Sequence, residues 1–347
     1  MKPNIRIVSL FSGVGGLDFG FAKAGCEIVF ANDFNRFACE TYRHNFKCFF
    51  KDDSNHLVEG DINKCANNIP MRADLLLAGA PCQSWSMAGN RKGFDDPRGQ
   101  LLFKTIEILS EKQPRFFILE NVVGLINHNK GRSFKIVLEK IGAAGYEIFY
   151  STFDFSEYGV DQRRKRVLIW GKRTEEPVLL HSLIPAKSST SPGQLGTLLR
   201  QHKHLLVSHP NHNIVMGSKL YKSFGPILRQ GENVVKLEKD EINKRLTAKG
   251  HEPTMSVPGG FRPVYRLCPF EIAPTMVFNA GTNVPWHPWD DRCISVREAA
   301  IIQGFPVDFE FKGTTTEQYK QVANAVPPRI SVLLAEKFVS VFQNHKP

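Results

Sequence analysis

The sequence predicts a doubly wound α/β domain together with a smaller, irregular second domain. Three observations carry this prediction. Apolar, β-branched runs alternate with amphipathic stretches as far as Trp170, a glycine-rich turn follows the first of these runs, and the alternation stops after Gly171. Alternation of this kind is typical of a parallel sheet that is covered by helices on both faces.

Each element of this domain is predicted from local pattern. Short runs of Ile, Val, Leu and Phe that are bounded by glycines or polar residues predict strands. These strands are Ile5–Leu10, Glu27–Asn32, Asp74–Ala78, Arg115–Leu119, Tyr146–Phe153 and Val167–Trp170. Apolar residues at helical spacing predict helices between several of them. These helices are Leu17–Ala24, a stretch that ends at about Phe46, Gln100–Glu111 and Ser133–Ala144.

Residues 178–292 lack this regularity, because Pro, Gly, His and Ser interrupt the apolar runs and no helical or strand period persists. Apolar and aromatic residues nevertheless continue through the segment, which indicates an irregular folded domain rather than a linker. Helical patterns return towards the end of the chain, at Val296–Gln303, Tyr319–Ala325 and about Arg329–Phe342.

The composition is that of a globular protein. The 347 residues allow two domains of ~150 residues each. With 42% hydrophobic and 23% charged residues, the chain is neither disordered nor fibrous. It has no apolar run of ~18 residues, and its first residues lack a signal-peptide core, so we expect no membrane span and no secretion. The seven cysteines form no C-x-x-C pair and are expected to be reduced thiols of a cytoplasmic protein.

The charge is concentrated in one part of the chain. The net charge is +11, and residues 162–260 hold 17 Lys and Arg against 7 Asp and Glu. Nearly the whole surplus therefore lies in less than a third of the sequence, and a polyanion would be drawn there. A solvated, lysine-rich surface would give the same pattern. The histidines at 202, 204, 209 and 212 lack an accompanying Cys or carboxylate cluster, so we expect no metal site.

The glycine-rich turn Phe11–Gly16 comes directly after a predicted strand and opens a helix. Glycines let a ligand approach the backbone, and a helix N-terminus offers free N–H groups. The dinucleotide pattern would place a glycine where Asp18 stands, and a carboxylate there would repel a pyrophosphate. Asp33 can accept both hydroxyls of a ribose, and Asp61 can accept from an adenine amino group. A nucleoside without phosphates fits, and S-adenosylmethionine is the candidate.

The turn Gly79-Ala-Pro-Cys-Gln-Ser84 indicates a functional site more specifically than the glycine-rich turn does. The preceding strand delivers Cys82 into a proline-fixed turn at the expected carboxyl edge of the sheet, where α/β enzymes bind their ligands. Glu120 closes another strand and is expected at the same edge. A small buried thiol and a solvated carboxylate are the alternative interpretations of these two residues.

The basic segment Gln162–Arg166 leads into the last predicted strand of the domain. Strand alternation would send Arg164 and Arg166 to one face, and Arg163 and Lys165 to the other. One pair could then point into the site while the other contacts phosphate. A basic turn on the surface is the alternative.

Six motifs that occur in this order resemble those of the DNA (cytosine-5)-methyltransferases, in particular the compact bacterial restriction-modification type. They are Phe11–Gly16, Pro81-Cys82-Gln83, Glu120-Asn121-Val122, Gln162–Arg166, Arg297–Pro306 and Asn324–Pro327. The resemblance covers essentially the whole chain. It implies a Rossmann-like S-adenosylmethionine-dependent methyltransferase domain formed by residues 1–178 and 313–347, and a smaller, irregular target-recognition domain formed by residues 179–312.

The resemblance also implies roles for individual residues. Cys82 would attack carbon 6 of cytosine, helped by arginine charge that favours the thiolate, so that carbon 5 can take a methyl group. Glu120 would bind the ring at N3 and the exocyclic amine, Arg164 would hold O2, and Arg166 would support it. The implied cofactor-binding residues are Phe11, Gly13, Val14, Gly15, Gly16, Asp33, Phe34, Asp61, Ile62, Pro81, Leu101, Asn324 and Ala325. The implied DNA-binding residues are Gln83, Ser84, Arg163, Lys165, Gln230, Thr275 and Arg297.

The implied substrate is double-stranded DNA, from which the target cytosine must be flipped out. A cognate restriction endonuclease would be a genetic rather than a physical partner, and we expect a monomer. A transfer-RNA methyltransferase shares these motifs but lacks a large recognition domain. A non-catalytic DNA-binding relative would not need Cys82, Glu120 and Arg164. An NAD-dependent oxidoreductase would leave the Pro-Cys-Gln turn unexplained.

Overall fold

The computed structural model describes residues 5–49, 56–85, 93–189, 193–206, 209–212, 226, 228–232, 237–249, 265–278 and 284–344. The chain forms two compact units. The first consists of Met1–Tyr158, Arg164–Ser188 and Ala325–Pro347, and the second of Gly159–Arg163 and Ser189–Asn324. The chain returns to the first unit at Ala325, whereas the sequence placed this return at residue 313. The catalytic and target-recognition roles of the two units stay predictions.

Among the described residues, seven strands form one sheet in the order β3-β2-β1-β4-β5-β7-β6. The strands are β1 Arg6–Leu10, β2 Glu27–Asp33, β3 Leu57–Glu59, β4 Leu75–Ala78, β5 Phe116–Val122, β6 Tyr146–Asp154 and β7 Lys165–Arg173. The α/β class is confirmed, and six strands lie close to their predicted positions. The sequence analysis missed β3, because three residues at the sheet edge are too few to show a period.

The expectation of an all-parallel sheet was wrong for one strand. Strands β1 to β5 pair in parallel wherever they are neighbours, but β7 runs antiparallel to both β5 and β6. The connection from β6 to β7 contains only the 3₁₀ turn Phe155–Tyr158. A parallel crossover needs a dozen or more residues, so a connection this short returns the chain antiparallel.

The helices of the first unit are α1 Asp18–Lys23, α2 Arg36–Phe46, α3 Ile62–Cys65, α4 Pro97–Lys112, α5 Gly124–Asn127, α6 Arg132–Ala143 and, at the end of the chain, α11 Pro328–Asn344. Those of the second unit are α7 Leu195–Leu206, α8 Lys239–Ala248, α9 Val296–Ile302 and α10 Thr315–Asn324. Short 3₁₀ turns occur at Lys47–Phe49, Ala66–Asn68, Gly93–Asp95, His128–Gly131, Phe155–Tyr158 and Leu180–Leu183. None of the helices in the described ranges has the length and apolar character that a bilayer span requires.

The structure corrects the prediction that residues 178–292 have no helical order, since α7 and α8 lie within this segment. In α7, leucines at positions 195 and 199 are buried on one side, and in α8 Ile242 and Leu246 are buried in the same way. Each helix therefore shows a four-residue apolar spacing, but over so short a stretch that the surrounding Pro and Gly obscured it.

Polar caps fix where several helices begin. Asn35 accepts a hydrogen bond from the amide of Ala38 at the start of α2. Asp96 caps α4 in the same way, and Pro97 occupies its first turn. Ser295 and Glu298 form a reciprocal capping box at the start of α9. These caps satisfy amide groups that have no partner inside the helix.

Helices cover both faces of the sheet. The contacts of the successive residues Phe116 and Phe117 of β5 show this. Phe117 packs edge to face with Tyr146, at 5.2 Å between ring centroids, within the core cluster that contains the buried faces of α4 and α6. Phe116 packs against Phe338 of α11 at 5.4 Å. Neighbouring strand residues point to opposite faces, so both faces are buried.

The last helix packs closely against the first. The Gly20 amide of α1 donates to Ser331 Oγ of α11 at 2.8 Å, and Ser331 Oγ in turn donates to the Leu17 carbonyl. A Cβ atom at position 20 would overlap the backbone of Ser331 and Val332. Only glycine allows this approach, so the end of the chain is part of the first unit.

We predict that Gly20→Ala destabilises the protein by about 1–3 kcal/mol or more, because the added methyl group meets rigid backbone rather than a flexible side chain. The matched control is Gly142→Ala near the end of α6, where a Cβ atom would have no neighbour within 4 Å. That substitution should be neutral or stabilise by up to about 1 kcal/mol. Urea unfolding measures both; equal effects would contradict the close approach of α1 and α11.

Candidate active site

The carboxyl ends of β1, β2, β4 and β5 meet at one edge of the sheet. In the parallel register, Leu10 pairs with Ala78, and Ala78 pairs with Leu119. The residues that directly follow these pairs therefore lie side by side. A Cβ atom at Gly79 would be 3.9 Å from both Glu120 Oε2 and the Phe11 carbonyl. The edge thus brings together the glycine turn, the strand before Cys82 and the carboxylate of Glu120.

The glycine turn is shaped to leave its backbone open. Gly13 has φ +56°, its amide donates to Asp33 Oδ2 at 2.9 Å, and no atom would lie within 4 Å of an added Cβ. Phe11 has φ +54°, a left-handed conformation that a bulky residue adopts at a cost. Strain of this kind clusters at functional sites.

The same turn is supported from behind. Gly15 lies against the rings of Tyr42 and Phe46, which are stacked at 4.1 Å. Gly16 lies against the backbone of Val326 and the methyl group of Ala325. A side chain at either glycine would meet these groups, so the turn packs tightly on one side and is open at Gly13.

Asp33 ends β2 beside the turn, and Phe34 follows it. Asp33 is 9% exposed, and burial raises the pKa of its carboxyl group, although the amides of Asn35, Gly13 and Phe34 donate to it and oppose the rise. Phe34 is 72% exposed. An open backbone, a buried hydrogen-bonded carboxylate and an exposed ring fit a ribose and an adenine.

The other predicted cofactor residues are distributed around this edge and within the core. Asp61 is exposed and caps α3, with Oδ1 accepting from the amide and the side chain of Asn63. Pro81 is half-buried in the turn that contains Cys82, and Leu101 packs against the core cluster. Val14 and Ile62 are buried. Asn324 is the last residue of α10 in the second unit, whereas Ala325 belongs to the first.

The structure corrects the argument made from Asp18. This carboxyl group is fully buried and accepts from Ser9 Oγ at 2.7 Å and from the Tyr42 hydroxyl at 3.0 Å. Burial raises its pKa to about 6, while the two hydrogen bonds lower it. Asp18 therefore does not face a ligand and would not repel a pyrophosphate. It joins Tyr42 to β1 beneath the glycine turn.

Side chains of neighbouring elements hold the turn that carries Cys82. The Asn121 side chain donates to the Ala80 carbonyl at 3.3 Å, and the Trp85 amide donates to the Cys82 carbonyl at 3.0 Å. Asn121 is buried, and Trp85 is fully buried. Sequence reasoning assigned no role to either residue, although Asn121 follows Glu120 in a motif that was noted.

Glu120 is paired with an arginine from the basic segment. Glu120 Oε1 lies 2.8 Å from Arg166 Nε, and both side chains are largely buried, at 10% and 12% exposed. A buried carboxylate without a partner would be strongly destabilising, so this ion pair keeps the acidic group at the edge of the sheet.

Burial raises the pKa of the Cys82 thiol above its ordinary value of 9.0. Arg166 and Arg164 lower this pKa and Glu120 raises it, but the burial effect is the largest. The expectation that arginine charge favours the thiolate agrees with the effect of the two arginines, although burial outweighs them. The thiol is protonated at neutral pH.

Arg164 is buried, at 2% exposed, and donates to the Ala325 carbonyl at 3.2 Å. Burial and the neighbouring charge of Arg166 lower its pKa to about 9, while Glu120 and Cys82 raise it. At neutral pH the guanidinium group therefore stays charged. Arg164 links the site to the segment that returns from the second unit.

The predicted DNA-binding residues differ in exposure. Arg163, Lys165, Gln230 and Thr275 are exposed, and within the second unit the Thr275 hydroxyl donates to the Arg163 carbonyl. Gln83 is half-buried, and Ser84 is fully buried. Arg297 is 1% exposed and donates to the Phe309 carbonyl at 2.8 Å, so the structure does not bring it to the surface.

Comparison with known proteins identifies similar sequences and structures. Residues 5–340 match the family model of C-5 cytosine-specific DNA methylases. The chain is 33% identical to the type II methyltransferase M.NgoFVII of Neisseria gonorrhoeae, over 99% of this chain and 88% of that protein. It is 32% identical to M.FnuDI of Fusobacterium nucleatum, over 96% and 94%. A DNA modification methyltransferase encoded within an E. coli prophage superposes with a TM-score of 0.70 at 22% identity, over 98% and 100%.

We predict that Asp18→Asn changes the pH dependence of stability. A carboxyl group whose pKa is raised from 3.8 to about 6 on folding stabilises the native state below pH 3.8, and this contribution is lost as the pH rises through 6. Between pH 4 and pH 7.5 the wild type should lose on the order of 3 kcal/mol relative to the variant. Urea unfolding across this range measures the difference; a pH-independent difference would contradict the assignment.

We predict that alkylation of Cys82 in the free protein accelerates with pH and has its midpoint above pH 9, because burial disfavours the thiolate. Peptide mass spectrometry after timed exposure to iodoacetamide gives the rate at each cysteine separately. The exposed Cys48 reports that the reagent is active throughout. A Cys82 midpoint clearly below pH 9 would contradict the dominance of burial.

Proposed function

This chain belongs to the C-5 cytosine-specific DNA methylases, and on that premise we propose that Cys82 is the nucleophile that attacks carbon 6 of a flipped-out cytosine. The protein is a DNA cytosine-5 methyltransferase and uses S-adenosylmethionine. The single observation that carries the proposal is the cluster of Cys82, Glu120 and Arg166 at the carboxyl edge of the sheet. The cluster supplies a nucleophile, a carboxylate and a cation.

The chemistry requires covalent activation of the base. Carbon 5 of cytosine is a poor nucleophile, so the Cys82 thiolate adds to carbon 6 and forms an S–C bond, which leaves an enamine whose carbon 5 can be methylated. Loss of the proton from carbon 5 then returns an electron pair to the ring and expels the thiolate. The thiol is protonated at neutral pH, so its proton must leave before or during attack.

Two buried charges hold the base during this reaction. Glu120 binds N3 and the exocyclic amine, and Arg166 keeps the carboxylate of Glu120 in place through their ion pair. Arg164, charged and buried beside Cys82, binds O2. In a site that excludes water these hydrogen bonds strengthen as charge develops on the ring.

The glycine turn, the end of β2 with the residue after it, and the cap of α3 would hold the cofactor. Asp33 binds the ribose hydroxyls, Phe34 stacks on the adenine, and Asp61 accepts from the adenine amino group. The open backbone at Gly13 accommodates the amino-acid portion. When bound, S-adenosylmethionine supplies the electrophilic methyl group.

Target recognition belongs to the second unit. The second unit contains most of residues 162–260, the part of the chain that holds nearly all of the positive charge surplus. Arg229 and Gln230 are exposed there and line an open cavity of about 510 Å³ together with Trp289. Exposed basic and amide side chains suit phosphate and base-edge contacts, respectively. The protein acts in the bacterial cytoplasm, where it protects host DNA against a cognate restriction endonuclease.

Bisulfite sequencing of mixed-sequence duplex DNA treated with the protein and S-adenosylmethionine tests this proposal. The wild type should protect cytosines in one short sequence context. Cys82→Ser should lower turnover by at least ~10³-fold, since it removes the attacking group, while cofactor binding persists. Cys48→Ser is the matched control and should retain full activity, because Cys48 is exposed and outside the site.

Two results would overturn parts of the proposal. Turnover by Cys82→Ser close to that of the wild type would exclude Cys82 as the nucleophile. Methylation of a transfer RNA, with no protection of any duplex cytosine, would replace the DNA substrate with RNA. A covalent complex between the wild type and a 5-fluorocytosine duplex, absent with Cys82→Ser, would identify the bond independently of turnover.

A further inference from the structure

The short segment after β4 continues from Cys82 into a deeply buried tryptophan. The amide of Trp85 donates to the Cys82 carbonyl at 3.0 Å, and the Trp85 side chain is fully buried. The backbone position of Cys82 is therefore set, through one turn of chain, by the place where this indole packs.

The indole packs edge to face against two rings. Its centroid is 4.8 Å from that of Phe94, at 75°, and 5.1 Å from that of His128, at 87°. Phe94 is stacked on Phe103 of α4 at 4.0 Å, and His128 Nδ1 is 2.7 Å from Ser133 Oγ of α6. The indole is thereby connected to α4 and α6, which contribute to the core cluster on this face of the sheet.

Gly93 lies next to the turn that carries Cys82. Its amide donates to the Ser84 carbonyl at 3.1 Å, and its φ of +57° lies in the left-handed region. A Cβ atom at Gly93 would overlap the His128 ring, and one at Gly99 would overlap the Gly93 carbonyl. Gly93 thus fits closely between the imidazole and the first turn of α4.

We propose that Trp85, His128 and Gly93 are positioning residues for the nucleophile. We call them the Trp85 anchor. They hold the described backbone at Ser84, Trp85 and Gly93, and through the hydrogen bond from the Trp85 amide to the Cys82 carbonyl they keep Cys82 beside Glu120 and Arg166. This inference rests on the proposed role of Cys82. A nucleophile displaced by about 1 Å loses on the order of 10²-fold in rate, so the anchor acts on kcat rather than on binding.

A purely structural role makes a different prediction. An aromatic residue that only fills the core affects unfolding and leaves the turnover of the folded protein unchanged. Trp170 provides the matched control, because it is also a fully buried tryptophan that packs on two aromatic rings, those of Phe149 and Phe153. Replacing either tryptophan should lower stability similarly.

The test compares Trp85→Leu with Trp170→Leu in the full-length protein, at a temperature where thermal unfolding shows both to be folded. Trp85→Leu should lower kcat at least tenfold, leave KM for DNA and for S-adenosylmethionine within twofold, and change the rate of Cys82 alkylation at least threefold. Trp85→Phe keeps a ring and should recover most of kcat. Trp170→Leu should leave kcat and alkylation within twofold.

A double-mutant cycle covers the case in which Trp85→Leu does not fold. Gly93→Ala forces a methyl group into the His128 ring and should lower kcat, and His128→Ala should lower it separately. The double variant removes the overlap, so its kcat should be at least tenfold higher than the two single effects predict. The backbone strain of an alanine at position 93 is the same with and without the His128→Ala substitution, so it cancels from the coupling energy of the cycle.

Four outcomes decide between the proposed anchor and the proposed nucleophile. If Trp85→Leu keeps its kcat, or loses kcat only to the extent that Trp170→Leu does, the anchor is overturned. Additive effects in the Gly93 and His128 cycle overturn it as well. If Cys82→Ser is inactive while Trp85→Leu is fully active, only the anchor fails. If Cys82→Ser is active, the proposed nucleophile fails first.

Discussion

The ion pair between Glu120 and Arg166 links the fold to the chemistry. A carboxylate buried beside a thiol is tolerated only when a cation neutralises it, and the 2.8 Å contact supplies that cation. In the antiparallel register Glu120 lies opposite Leu168, and Val122 lies opposite Arg166. Glu120 and Arg166 are therefore diagonal neighbours on one face of the sheet, within reach of a long side chain.

The reversed direction of β7 makes this contact available. In a parallel strand the basic segment before β7 would lie at the amino edge of the sheet, far from Cys82. Because β7 runs antiparallel to β5, its first residues lie at the carboxyl edge, where the glycine turn and Glu120 also lie. The short connection from β6 thus fixes the direction of the strand and, with it, the position of Arg164 and Arg166.

Sequence reasoning identified the elements whose signal is local. The sequence alone shows a strand that is followed by the turn with Pro81 and Cys82, a glycine turn and the charged end of β5. Most strand positions followed from apolar runs. Features that depend on contacts between residues far apart in the chain could not be predicted from the sequence. Burial of Asp18 depends on Tyr42 of α2, and the close fit of α1 to α11 joins residues far apart in the chain. Short helices among Pro and Gly, such as α8, gave too few periods to be recognised.

The pKa of Cys82 depends more on burial than on the charges around it. Two arginines beside a thiol suggest an activated thiolate, but their effect on the pKa is opposed by Glu120 and exceeded by burial. The same burial that keeps the thiol protonated also strengthens every hydrogen bond that Glu120 and Arg164 can make to a base, because the local dielectric is low. Under the proposed mechanism, a reactant must therefore provide both a place for the proton and partners for the buried charges before the thiolate can form.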